Sequence, residues 1–142
     1  MAQGRLKSDK VKVALVDTDV VSILFKEDSR AAIYKALVAN RLLDISFMTL
    51  AELDRWTLAR NWGEVRRTKL AEYLKPFSVL YADRDLCFKW AEVIDKSRRI
   101  GRPIETADAW IAATALHYRI PLITHNRSDF EAVEGLEVIS ES

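Results

Sequence analysis

The sequence predicts an α/β protein, a three-layer α/β/α sandwich with a mostly parallel central sheet. Three observations predict it. Short apolar runs alternate with longer helical patterns along the whole chain. The runs are apolar on both faces, as strands covered on both sides by helices are. Every connection is short, and neither an internal repeat nor a low-complexity segment interrupts the alternation. At 142 residues the chain is long enough to bury one core without disulfides or a structural metal.

Residues 1–10 are polar and are expected to form a short N-terminal arm, with a single domain over residues 11–142. The first strand runs from about Val11 to Val16 and stops at Asp17-Thr18-Asp19. A short helix is expected from about Asp19 to Phe25. After the polar break Lys26-Glu27-Asp28-Ser29, a second helix runs through Ala31 to Val38, with Asn40 as its stop. Leu43 to Met48 alternates in part and reads as a second strand. Helices from about Leu50 to Arg60 and from Glu64 to Leu74 are separated by Asn61-Trp62-Gly63, and Pro76 closes the second. Phe77 to Tyr81 is a third strand. Asp83 to about Arg99 carries Leu86, Trp90, Val93 and Ile94 at helical spacing and is stopped by Gly101 and Pro103. An alanine-rich helix, Thr106 to Tyr118, precedes a fourth strand, Pro121 to Thr124. The loop His125-Asn126-Arg127-Ser128-Asp129 leads to a last strand, Glu137 to Ile139.

Charge says little about partners. With 22 basic and 21 acidic residues the formal net charge is +1, so no global field marks a nucleic-acid binder, although basic rims and an acidic centre would cancel in the sum. A single cysteine, Cys87, rules out an internal disulfide and suits a reducing compartment; it reads as a buried filler. No signal-peptide core follows Arg5, Lys7 and Lys10, and no run approaches a membrane span, so a cytoplasmic protein is expected.

The acids carry the chemistry. Sites on open parallel sheets gather outside the carboxyl ends of the strands. Four places there hold candidate ligands: Asp17 with Asp19, Glu52 after Thr49, Asp108 after Thr106, and Asn126 with Asp129 after Thr124. Carboxylates converging on one edge repel unless protonated or bridged by cations, and hard ions such as Mg²⁺ or Mn²⁺ prefer oxygen. Each acid also has a purely structural explanation. Asp17 can cap the helix that follows. Thr49-Leu50-Ala51-Glu52 and Ser128-Asp129-Phe130-Glu131 both fit capping boxes. Asp108 sits where a helix dipole favours an acid, yet it heads the inward stripe Ile111, Ala112, Ala115, and an inward acid needs a partner.

Taken together, the segments Val16-Asp17-Thr18-Asp19, Thr49-Leu50-Ala51-Glu52-Leu53, Ile104 to Ala115 and Leu122 to Phe130 resemble PIN-domain ribonucleases, specifically the VapC toxins of type II toxin–antitoxin systems. The likeness spans about Val11 to Ile139. It implies a PIN-like fold, an Mg²⁺- or Mn²⁺-dependent endoribonuclease, an RNA substrate, a cognate antitoxin and a homodimer. Its three acids fall on Asp17, Glu52 and Asp108. The residue two after the first acid is Asp19, and the variable fourth position falls on Asn126, with Asp129 as the alternative. Thr18 and Thr124 are candidates for hydroxyl contacts to water or phosphate.

On this reading Asp17 and Asp108 hold an ion, with Glu52 binding directly or through water, for attack on a phosphodiester. Arg98, Arg99, Arg102 and Arg127 are candidates for neutralising phosphoryl charge, though cations are also favoured at a helix end. Arg55, Arg60, Arg66, Arg67 and Lys69 are candidates for an RNA-facing rim. His117 and His125 lack zinc spacing, although His125 could touch substrate. Trp56, Trp62, Trp90 and Trp110 read as core or interface residues rather than base-stacking platforms. The scattered glycines exclude a phosphate-cradling loop. Two other classes fit the acids less fully: another metal-dependent nuclease or phosphatase on an α/β scaffold, and a non-catalytic module that binds a partner protein.

Overall fold

A computed structural model describes residues 11–141; the expected N-terminal arm lies outside them. Five strands, β1 (Lys12–Val16), β2 (Arg41–Ser46), β3 (Ser78–Leu80), β4 (Leu122–Ile123) and β5 (Val138–Ile139), form one sheet in the order β3-β2-β1-β4-β5. Every pair is parallel. Six helices connect them: α1 (Thr18–Lys26), α2 (Ala31–Val38), α3 (Phe47–Ala59), α4 (Glu64–Leu74), α5 (Arg84–Arg99) and α6 (Thr106–Tyr118). Parallel strands require crossovers, and these helices supply them.

The period-two alternation of β1 decides the layers. Ala14 and Val16 point to one face and pack with residues of α1 to α4, including Val20, Tyr34, Leu53, Trp62 and Leu70. Leu15 points to the other and packs with Leu86 and Val93 of α5 and with Ala109, Ile111 and Ala112 of α6. All three β1 residues are fully buried. Leu15→Ala would cost about 2–5 kcal/mol, because a cavity would open against both α5 and α6. With β1 central, its carboxyl end is flanked by β2 and β4, and that sets the position of the site.

Helix ends explain most shifts from the expected boundaries. α1 starts one residue earlier because Asp17 itself is the cap. β2 begins at Arg41 and ends at Ser46, whose side chain accepts from Met48 N at 3.0 Å and starts α3 three residues earlier than expected. Asp83 caps α5 through Leu86 N at 2.8 Å. Gly101, at φ 73°, stops it as expected. Cys87 is exposed rather than buried: the inward stripe of α5 runs through Leu86, Val93 and Ser97, and Cys87 falls beside it. No helix among the described residues is long and apolar enough to cross a membrane.

Candidate active site

Three strand ends and three helix starts converge at the carboxyl edge. Their side chains line a cleft of about 400 Å³ that holds Asp17, Asp19, Glu52, Asp108, Asn126 and Asp129 together with Thr18, Ser22, Lys26, Leu53, Trp56 and Arg60. Residues as far apart in sequence as Asp17 and Asp129 therefore share one space. The expected convergence of Asp17, Glu52 and Asp108 is met.

Asp17 is the most enclosed of the acids, only 6% exposed. Its Oδ1 accepts from Thr18 N at 2.8 Å and its Oδ2 from the Thr124 hydroxyl at 2.7 Å. The capping role and the site role coexist, one oxygen serving each. Asp19 sits on the first turn of α1, where His125 N and Asn126 Nδ2 donate to its Oδ2 at 3.1 and 2.8 Å. Its Oδ1 is buried without a hydrogen-bond partner. An orphaned carboxylate oxygen inside a protein is costly. Thr124 Oγ1 also accepts from Asn126 N at 3.1 Å, so one hydroxyl ties the loop after β4 to the acid after β1.

Glu52 is positioned by hydroxyls. Thr18 Oγ1 lies 2.6 Å from Glu52 Oε1 and 2.9 Å from Thr49 Oγ1. Having one hydrogen, Thr18 gives it to the carboxylate, and Thr49 is the donor in the other contact. The capping box read at Thr49-Leu50-Ala51-Glu52 is overturned: Ser46 caps α3, while Thr49 is buried within the helix. The second box fails too, since Ser128 and Asp129 lie in a 3₁₀ turn, Arg127–Asp129, with no side-chain cap.

Although Lys26 and Arg60 line the same cleft, no ion pair to the clustered acids forms among the described residues, and the acids raise one another's pKa. Burial first, then the charge of Asp19, pushes Asp17 well above the usual carboxylate range, against the hydrogen bonds from Thr124 and Thr18. Burial also raises Asp19. Asp108 is pushed up to about 6, by burial first and then by the charges of Asp129, Glu52, Glu105 and Asp19.

The basic candidates are sorted by their partners. Arg99 is bound to Asp95 at 2.7 Å and Arg102 to Glu131 at 3.2 Å, both exposed pairs. They line a second hollow of about 750 Å³ between α5, α6 and the loop after β4, which borrows Asp108 and Asp129 from the cleft. Arg98 and Arg127 line neither space. Arg66 stands over the Trp62 ring at 3.9 Å. The cations that do line the cleft are Lys26 and Arg60, and the sequence reading missed Lys26. A signal existed: Asp19, Ser22 and Lys26 fall at i, i+3 and i+7, one face of α1. His125 is held through Nδ1, 2.7 Å from the buried Tyr34 hydroxyl.

Among the described residues no three His, Cys, Asp or Glu side chains form a ready-made metal cage. The donor set nevertheless fits an open site for a hard divalent ion. Mg²⁺ usually takes only one or two carboxylates and completes its shell with water and phosphate oxygens. The unpartnered Asp19 Oδ1 and the mutual repulsion around Asp108 are what a bound cation would relieve.

A parallel sheet with acids from several segments at its carboxyl edge is the arrangement of the PIN fold, and the family profile described as PIN domain matches residues 14–136. The chain belongs to the PIN-domain family, in its VapC branch. It is 31% identical over 130 residues to Ribonuclease VapC1 of Haemophilus influenzae, covering 88% of this chain and 95% of that protein. It is 36% identical over 135 residues to the plasmid stability protein StbB of Pseudomonas syringae pv. tomato, covering 89% and 96%. The solved structure of VapBC-1 from nontypeable Haemophilus influenzae aligns with a TM-score of 0.80 at 28% identity, over 90% of this chain and 97% of that one.

Proposed function

We infer that the protein is an endoribonuclease, the toxin of a type II toxin–antitoxin pair, and that it needs Mg²⁺ or Mn²⁺ to hydrolyse RNA phosphodiester bonds. The ribonuclease relatives and the structure of a toxin–antitoxin complex support the activity and the antitoxin partner. The carrying observation for the metal is the cleft itself, where acids from separate segments meet and one buried carboxylate oxygen has no partner. We further propose a single domain over residues 11–142, a homodimer, and action in the cytoplasm.

The residues divide the work as follows. Asp17, Asp19 and Asp108 would hold the ion, with Glu52 joining directly or through water and Asp129 lending charge beside Asp108. When bound, the ion supplies positive charge that neutralises the acids and the phosphoryl oxygens and acidifies the attacking water. Thr124 and the backbone of Thr18 fix both oxygens of Asp17. Asn126 aims Asp19 through its amide, so in this arrangement it orients a ligand. The Thr18 hydroxyl holds Glu52, leaving the second oxygen of that carboxylate for the ion or for water. Lys26 and Arg60, on the cleft wall, would meet substrate phosphates in place of Arg98, Arg99, Arg102 and Arg127.

Purified protein should cleave RNA with added Mg²⁺ or Mn²⁺, stop on chelation, and leave duplex DNA intact. Equal digestion of DNA would favour a general nuclease, and cleavage that persists in Asp17→Asn and Glu52→Gln would remove the acids from the chemistry.

A further inference from the structure

The catalytic cleft has a second wall whose chemistry the acids do not use. On α3, Glu52, Trp56 and the capping residue Arg60 recur every fourth residue, and all three line the cleft. That spacing stacks side chains along one helix face. Each interval is about 6 Å of helix rise, so an acid, an indole and a guanidinium follow one another outward from the catalytic centre. The indole is anchored from behind. Its ring centroid lies 4.6 Å from that of Trp62, which is buried and stacks on Phe25 at 5.9 Å. Above the Trp56 ring stands the Lys26 ammonium, 4.7 Å from its centroid. Lys26 and Arg60 are both exposed.

A ring whose sole task is core packing does not need to face a polar cleft. One flanked by two cations and opening onto a phosphodiesterase centre matches the alternation of phosphate and base along a single strand. We propose that Trp56 is the stacking platform for an unpaired RNA base next to the scissile phosphate, with Lys26 and Arg60 gripping the neighbouring phosphates. The proposal rests on reading the cleft as a ribonuclease site. Without RNA, Lys26 covers the ring. Trp56 is half-buried and the ammonium over it is exposed, and a solvated cation at such a ring is held more weakly than a stacked base, so an arriving base displaces Lys26 from the ring toward a phosphate. A partner protein's apolar helix fits less well, because it would set hydrocarbon against two charges.

The test is steady-state cleavage of single-stranded RNA with Mn²⁺, using the full chain. Trp56→Leu keeps apolar contact with Trp62 but loses the wide π-face, and its KM should rise roughly tenfold, the worth of one stacked base. Trp56→Phe should stay within about threefold of wild type, since a smaller ring still stacks. Lys26→Ala and Arg60→Ala should each flatten the dependence of log(kcat/KM) on log(salt) by about 0.7, one single-strand phosphate contact. A series of oligoribonucleotides, each lacking one base, separates stacking from structure. Loss of the base beside the cut should raise KM for wild type and leave Trp56→Leu unaffected. An unchanged KM in Trp56→Leu, or a base-loss effect that persists in it, overturns the platform. So does intact RNA kinetics with weakened antitoxin binding, which would assign the ring to the protein partner. Should Trp56→Leu not fold, the base-loss series on wild type and the two surface variants decide. A wild-type protein that cleaves no RNA would bring down the ribonuclease reading itself, an outcome distinct from a cleaving enzyme indifferent to Trp56.

Discussion

Two charged regions of this molecule are built on opposite plans. Along α5 and the loop after β4, acids meet bases: Lys89 with Glu92, Lys96 with Glu134, Arg99 with Asp95, Arg102 with Glu131, all on exposed surface. At the carboxyl edge of the sheet, acids meet acids. The strongest influences on Asp108 after burial are four other carboxylates, and the groups that hold Asp17, Asp19 and Glu52 are hydroxyls, backbone amides and one side-chain amide. Exposed pairs add little to stability and tolerate loss. A half-buried acidic cluster opposes folding unless something positive enters it, so its persistence points to function.

The contrast can be broken most forcefully at Asp108. Asp108→Asn should reduce RNA cleavage by roughly 10²–10³-fold or more, because it would weaken the hold on the ion whose charge stabilises the transition state. It should also make the ion-free protein more stable above pH 6 by about 1–2 kcal/mol, the raised pKa discounted for the carboxyl's partial exposure. Urea unfolding beside a cleavage assay checks both, and a destabilised variant would mean that Asp108 is a structural acid.

Thr124→Val comes next. It removes the donor to Asp17 Oδ2 and the acceptor of Asn126 N, and it should cost about 2 kcal/mol by leaving buried polar atoms unpaired. A variant as stable and active as wild type would show that the loop after β4 is placed by other contacts.

The pH dependence sharpens the same difference. Asp108 titrates near 6 in the folded protein and near 3.9 when unfolded, so between these values the native state holds the extra proton. Stability of the ion-free protein should therefore fall as pH rises from about 4 to 6, with the penalty complete above 6. Denaturant midpoints across that range, in chelator, measure it; a midpoint that rises steadily would contradict the raised value. The smallest effect is expected on the exposed side. Arg99→Ala, alone or with Asp95→Ala, should leave both unfolding midpoint and cleavage unchanged, and a clear loss of cleavage would restore Arg99 to the site.

Much of this was legible in the sequence because it depends on order along the chain. The run from Val11 to Val16 ending in Asp17 announced a central strand with an acid at its carboxyl end, and α4 and α6 occupy the expected residues. The start of α3 was misplaced because Thr49 offered a plausible cap. The choice of Ser46 follows from where β2 leaves the sheet, a tertiary fact. Among the basic groups on the cleft wall, Arg60 was named from the sequence as a candidate and Lys26 was not, for a related reason. Arg98, Arg99 and Arg102 are close to Asp108 in sequence, but surface acids take two of them, whereas Lys26 and Arg60 reach the cleft from the far ends of α1 and α3. Helical phase relative to Asp19 and Glu52, more than proximity along the chain, tells which cations line the cleft.

We propose that the acidic edge exists to receive a divalent cation. Thermal unfolding of wild type and Asp108→Asn, with and without Mn²⁺, tests it most directly, because a ligand that binds only the native state raises the midpoint. Mn²⁺ should stabilise wild type, more at neutral pH than below the titration of Asp108, and most of that gain should vanish in Asp108→Asn. An equal shift in both proteins, or none in either, would contradict it.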